Sequence, residues 1–106
     1  MEEVYLSLDT SIPCGLILNE LVSNALKYAY PKERRGVIFI ALKQIGIEVS
    51  IIIQDFGVGV PKDFVMEDSP SLGLQLVVAL VEQINGNLIL EKSGGTKFII
   101  KFNNQN

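Results

Sequence analysis

Near the start of the chain, in VYLSL, apolar and polar residues alternate from Val4 to Leu8 with the period of a short half-buried strand. Asp9-Thr10-Ser11 follows as a set of N-cap candidates, with Pro13 placed where a first helical turn tolerates proline. From about Ile12 to Ala29 the apolar spacing becomes helical, and Pro31 marks the stop. Val37–Lys43 and Ile47–Asp55 are β-branched runs separated by Gln44-Ile45-Gly46, the pattern of a hairpin. The second run is apolar at nearly every position past Ser50, which predicts a central strand. Phe56 to Ser71 carries glycines, prolines and acids with no sustained period, the one long irregular segment. Leu72–Ile84 is a second amphipathic helix, with Leu72, Leu76, Ala79, Leu80 and Gln83 near one face and Asn85-Gly86 as a left-handed C-cap. Leu88–Glu91 and Thr96–Phe102 close the chain as a hairpin around Lys92–Gly95, and the polar tail 103–106 is expected to fray. The order β-α-β-β-loop-α-β-β predicts an α+β fold, a two-layer sandwich with helices on one face of a mixed, mostly antiparallel sheet.

The first helix carries a contradiction. Leu16, Leu18, Leu21, Val22, Ala25, Leu26 and Ala29 supply a core, yet Glu20, Asn24 and Tyr28 recur at spacing four with Lys27 beside them. A helix this apolar is expected to be largely buried, and a buried carboxylate and amide are unfavourable unless something satisfies them.

Length and composition narrow the candidates. At 106 residues and 48% hydrophobic, the chain reads as one compact domain over 1–106, large enough for its own core. A net charge of -3 without a basic cluster suggests neither nucleic acid nor anionic lipid as partner. The single Cys14 excludes an internal disulfide and fits a reducing compartment, and no run is long enough for a membrane span. The chain has no histidine, which removes a Ser-His-Asp triad, most zinc sites and any phosphoaccepting histidine of its own.

Three further groups carry chemistry. Asp55 ends the most apolar strand and precedes Phe56-Gly57-Val58-Gly59; its carboxylate is suited to accept a hydrogen from a ligand amino group, and the glycines let backbone pass close to a flat ring. Alone, that tetrapeptide is equally a tight turn. Lys62 stands where a dinucleotide fingerprint needs its third glycine, and no Walker A pattern exists. Asp55-Phe56-Gly57 matches the protein-kinase triplet, but the catalytic-loop motif of that fold is missing. Ser71-Leu72-Gly73-Leu74 enters the second helix at its positive dipole end, a ready phosphate site. Gly94-Gly95-Thr96 places a hydroxyl at a strand start, or is simply a hairpin turn.

In combination these segments resemble the ATP-binding domain of the GHKL superfamily, the Bergerat fold of DNA gyrase, heat-shock chaperones, mismatch-repair ATPases and sensor histidine kinases. NELVSNALKYAYP resembles the N box, DFGVGVP the first glycine box, SLGLQLV the second and GGTKFIIKF the closing strand. The details are most similar to sensor histidine kinases with glutamate four residues before the N-box asparagine, and the likeness extends from about Val4 to Phe102.

The resemblance implies ATP and Mg2+ as cofactors and a role for each residue. Asn24 would hold magnesium through its side-chain oxygen. Glu20 would be catalytic, orienting or deprotonating water or the attacking group. Lys27 would reach phosphate as a point charge, and Tyr28 would lie against adenine or ribose, or else in the core. Asp55 would accept the adenine amino hydrogen, with Gly57 and Gly59 giving the ring room. Leu72, Gly73, Leu74 and Thr96 would contact phosphates and the adenine surroundings, and residues 61–71 would form a lid. Two residues depart from the pattern: Phe56 replaces a small polar residue, and Ser71 replaces the first glycine of the second box. The short lid implies modest affinity, on the order of micromolar or weaker.

The same resemblance implies partners this sequence does not contain, a histidine-bearing dimerisation domain and a response regulator, and a cytoplasmic location for the chain itself. A strand directly after the initiator methionine favours a piece of a longer kinase over a free-standing protein, and such a piece is expected not to phosphorylate itself. Two other readings use the same fold: a serine-kinase anti-sigma factor, and a non-catalytic docking module.

Overall fold

In a computed structural model of the protein, residues 4–25, 37–56, 72–92 and 95–104 are described. The elements run α1 (Leu8–Asn24), β1 (Ile38–Ile45), β2 (Glu48–Asp55), α2 (Leu72–Gln83), β3 (Asn87–Glu91) and β4 (Thr96–Asn103). The strands form one sheet in the order β1-β2-β4-β3. Every described pairing is antiparallel, so the α+β architecture is as expected while the mixed character is not seen among these strands.

The strand expected at Val4–Leu8 is not present. Residues 4–7 have no regular structure, and the helix starts at Leu8, four residues before the expected start. Ser7, not Asp9–Ser11, is the N-cap: its carbonyl accepts the Thr10 and Ser11 N–H groups at 3.1 and 2.8 Å. Asp9 then lies in the first turn, where the helix dipole favours a carboxylate. The Ser7 hydroxyl makes no capping bond to the backbone and donates to Thr10 Oγ1 at 3.2 Å; the first-turn backbone bonds form where the five-residue alternation pairs with no described strand. Pro13 consequently sits inside the helix and denies the Asp9 carbonyl its usual donor.

The central strands alternate strictly. β2 buries Val49, Ile51, Ile53 and Asp55, and β4 buries Thr96, Phe98, Ile100 and Phe102. The register sets Val49 opposite Phe102, Ile51 opposite Ile100, Ile53 opposite Phe98, and Asp55 opposite Thr96. Onto this face pack Cys14, Ile17 and Leu21 of α1 and Leu74, Val77, Leu80 and Val81 of α2. Leu16, expected in the core, is exposed. On α2 the predicted face is also rotated, since Leu72, Leu76, Ala79 and Gln83 all face solvent. LGLQLVVALVEQ is apolar nearly all round, so its periodicity does not single out one stripe.

The turns match their chemistry. Gly46 has φ 61° at the first position of the two-residue β1–β2 loop, the sign pattern of a type II′ hairpin turn. Asn85 has φ 56°, and the Gly86 N–H to Val81 and Asn85 N–H to Glu82 bonds, 2.9 and 3.0 Å, close α2 as a Schellman cap.

Candidate functional site

Antiparallel register brings the end of β2, the start of β4 and the start of β1 to one end of the sheet, because Asp55 faces both Thr96 and Ile38. Both helices are oriented toward that end. Asn104, beyond the opposite end, donates its side-chain amide to the Tyr5 carbonyl at 2.9 Å and so anchors the approach to α1 there. With Cys14, Ile17, Leu21 and Ala25 buried along its length, α1 spans the sheet: about 26 Å of helix over about 26 Å of strand. Asn24, the last residue of α1, lies the full length of the helix away from the start that Asn104 anchors. The C-terminal cap of α2 abuts β4 near Lys101, where a Cβ on Gly86 would stand 3.0 Å from the Lys101 carbonyl oxygen. The short turn into β3 reverses the chain, so α2 begins back at the Asp55 end.

At this end stand two buried polar residues. Asp55 is 6% exposed and Thr96 4%, and the Thr96 N–H donates to Asp55 Oδ1 at 3.3 Å. A carboxylate so buried, fixed by a backbone N–H, is an oriented acceptor for a donor on a flat ligand. Gly95, absent from the expected site residues, is what allows that approach. A Cβ there would overlap the Asp55 carbonyl oxygen and stand 2.9 Å from Phe56 Cα. The double glycine was its signal in the sequence, absorbed by the hairpin reading.

Glu20 and Asn24 are one turn apart on α1 and both half-buried. The Asn24 Nδ2 is buried with no hydrogen-bond partner among the described residues. An orphaned amide at the mouth of a site fits a polar ligand, and rotation by half a turn presents its oxygen instead, a hard donor that suits Mg2+. Among the described residues no three acidic, cysteine or histidine side chains cluster to hold a metal, so an ion held by Asn24 would need further ligands from elsewhere. Gly73 is half-buried in the first turn of α2 and Leu74 is buried, while Leu72 is 81% exposed. The positive end of the α2 dipole lies at the site. Lys27, Tyr28, Gly57, Gly59 and the lid 61–71 lie outside the described residues.

Known proteins share this fold. The sensor histidine kinase PdtaS of Mycobacterium tuberculosis is 31% identical over 90 residues, covering 81% of this chain and 18% of its own. The structure of a blue-light-activated histidine kinase from Erythrobacter litoralis superposes with a TM-score of 0.88 at 25% identity, over 96% of this chain and 33% of that one. The ATP-binding domain of PrrB from Mycobacterium tuberculosis gives 0.73 at 26% identity, over 90% of this chain and 69% of that one. The chain thus spans about a fifth of the length of the curated kinase it matches. The profile of the histidine kinase-, DNA gyrase B- and HSP90-like ATPases matches residues 10–106, and the chain belongs to that family.

Proposed function

We propose that the chain is the ATP-binding catalytic domain of a two-component sensor histidine kinase, supplying the γ-phosphoryl group of Mg-ATP to a histidine on a dimerisation domain. The family is one of ATPases, so ATP is the ligand. The observation that carries the reading is the buried Asp55–Thr96 pair, an oriented acceptor for the adenine amino group at the mouth of the sheet. Gly73 and Leu74 bring the start of α2 to the phosphates, and Thr96 borders the adenine. Leu72, with its side chain in solvent, contributes through its backbone. Lys27, Tyr28, Gly57 and Gly59 complete the pocket, with 61–71 as its lid. A magnesium ion held by Asn24, phosphate oxygens and water would supply the charge that neutralises the triphosphate.

The acceptor must come from elsewhere, since this sequence has no histidine. An imidazole nitrogen forms a bond to the γ-phosphorus as the bond to the bridging oxygen breaks, ADP leaves, and Glu20 receives the proton lost by the ring. The phosphoryl group then passes to a response regulator. No helix among the described residues is long and apolar enough to cross a membrane. A cytoplasmic location, where ATP is available, goes with the proposed role.

Labelled ATP tests this directly. Mixed with a histidine-bearing dimerisation domain from a related kinase, the chain is expected to produce acid-labile label on that domain and none on itself. Label on a serine of a partner instead, or none with any acceptor, overturns the proposal.

A further inference from the structure

Two glycines with positive φ have different reasons to be glycine. Gly46, φ 61°, turns a hairpin in open space, with nothing within 4 Å of where a Cβ would be. Gly95, φ 124°, faces only backbone: a Cβ would overlap the Asp55 carbonyl oxygen and lie 2.9 Å from Phe56 Cα and 3.0 Å from the Asp55 carbonyl carbon. Side chains swing aside, but backbone at the end of a paired strand does not. Any residue larger than glycine must push the start of β4 away from the end of β2. The bond at risk has little slack, because Thr96 N to Asp55 Oδ1 is already 3.3 Å, at the long limit for such a bond.

We infer that Gly95 is a specificity-determining positioning residue: its missing side chain lets β4 close on the Asp55–Phe56 backbone, so that the Thr96 N–H fixes the carboxylate that selects the base. This rests on the proposed recognition of adenine by Asp55. Gly95 itself touches no nucleotide; it acts through the orientation of a neighbour. A carboxylate that has lost this bond still attracts a donor, but with its oxygens less firmly oriented it discriminates less well between a purine presenting an amino group and one presenting a carbonyl.

The test compares ATP with inosine triphosphate, which carries a carbonyl in place of the adenine amino group, by calorimetric titration of the wild type, Gly95→Ala and Gly46→Ala. The wild type is expected to prefer ATP. Gly95→Ala is expected to lower that preference about tenfold, the scale of a hydrogen bond to a charged group, with inosine triphosphate affinity nearly unchanged. Gly46→Ala, strained by its φ but free of contact, keeps the preference. Equal loss of affinity for both nucleotides in Gly95→Ala would make the residue merely structural and overturn the inference. A wild type without preference would refute adenine recognition by Asp55, a separate outcome. If Gly95→Ala does not fold, replacing Thr96 by its α-hydroxy acid removes the same N–H without adding an atom; an unchanged preference there also overturns the inference.

Discussion

Asp55→Asn is nearly isosteric and changes one oxygen acceptor into a donor. The amide oxygen of asparagine still accepts the Thr96 N–H, so the end of β2 stays fixed against β4. The group turned to the base becomes an NH2, which meets the adenine amino group donor to donor. At 6% exposure, water does not replace the lost partner. A hydrogen bond to a charged acceptor contributes about 1.5–3 kcal/mol, so ATP affinity should fall about 10- to 150-fold. The sign reverses for inosine triphosphate, whose carbonyl accepts from the new amide, and its affinity should rise relative to the wild type. Titration calorimetry with both nucleotides measures the swap, and thermal melting checks the fold, with a shift of no more than about 5 °C expected for a change within about 1 kcal/mol. ATP binding by Asp55→Asn at the wild-type affinity would show that the adenine contact lies elsewhere.

Asn24→Ala should leave magnesium-free ATP binding unchanged in calorimetry and remove most of the gain that Mg2+ gives; loss of both would place Asn24 in the core and not at the metal. Ile17 is fully buried in the cluster joining α1 to the sheet, so Ile17→Ala should destabilise by about 2–5 kcal/mol in urea unfolding. Burial pushes the Cys14 thiol from its ordinary 9.0 up to about 11. Below pH 9 both states keep the proton and nothing changes; above it the unfolded chain loses its proton first, so stability falls between about pH 9 and 11, by up to roughly 2–3 kcal/mol. Cys14→Ala should flatten that part of the pH–stability curve, and an identical slope would contradict the burial argument.

Some of this architecture was legible because several signals agree at one place. β2 is rich in β-branched residues, with three consecutive isoleucines after Ser50, and it does lie centrally between β1 and β4. Asn85-Gly86 follows an apolar helix, and the left-handed cap is there. Where signals compete, the sequence is ambiguous. VYLSL alternates like a strand, but Ser7 and Asp9 make a better helix start. On α2, Leu72 and Leu76 satisfy helical spacing as well as Leu74, Val77 and Val81 do, and only the sheet beneath decides which face is buried. The polar stripe on α1 was visible as an anomaly, and Asn24 remains one: its amide nitrogen is buried and unpartnered among the described residues. Gly95 was the opposite case: the double glycine was visible, but it reads as a hairpin turn because the reason for it, the Asp55 carbonyl, is 40 residues away along the chain and adjacent only in the sheet.

The central claim is that the Asp55 end of the sheet is an ATP site, and titration of the wild-type chain with a non-hydrolysable ATP analogue and Mg2+ tests it most directly. Saturable one-to-one binding with a dissociation constant on the order of micromolar to hundreds of micromolar, weakened when Mg2+ is withheld, is the expected result. No heat and no chemical-shift change at millimolar nucleotide would contradict it.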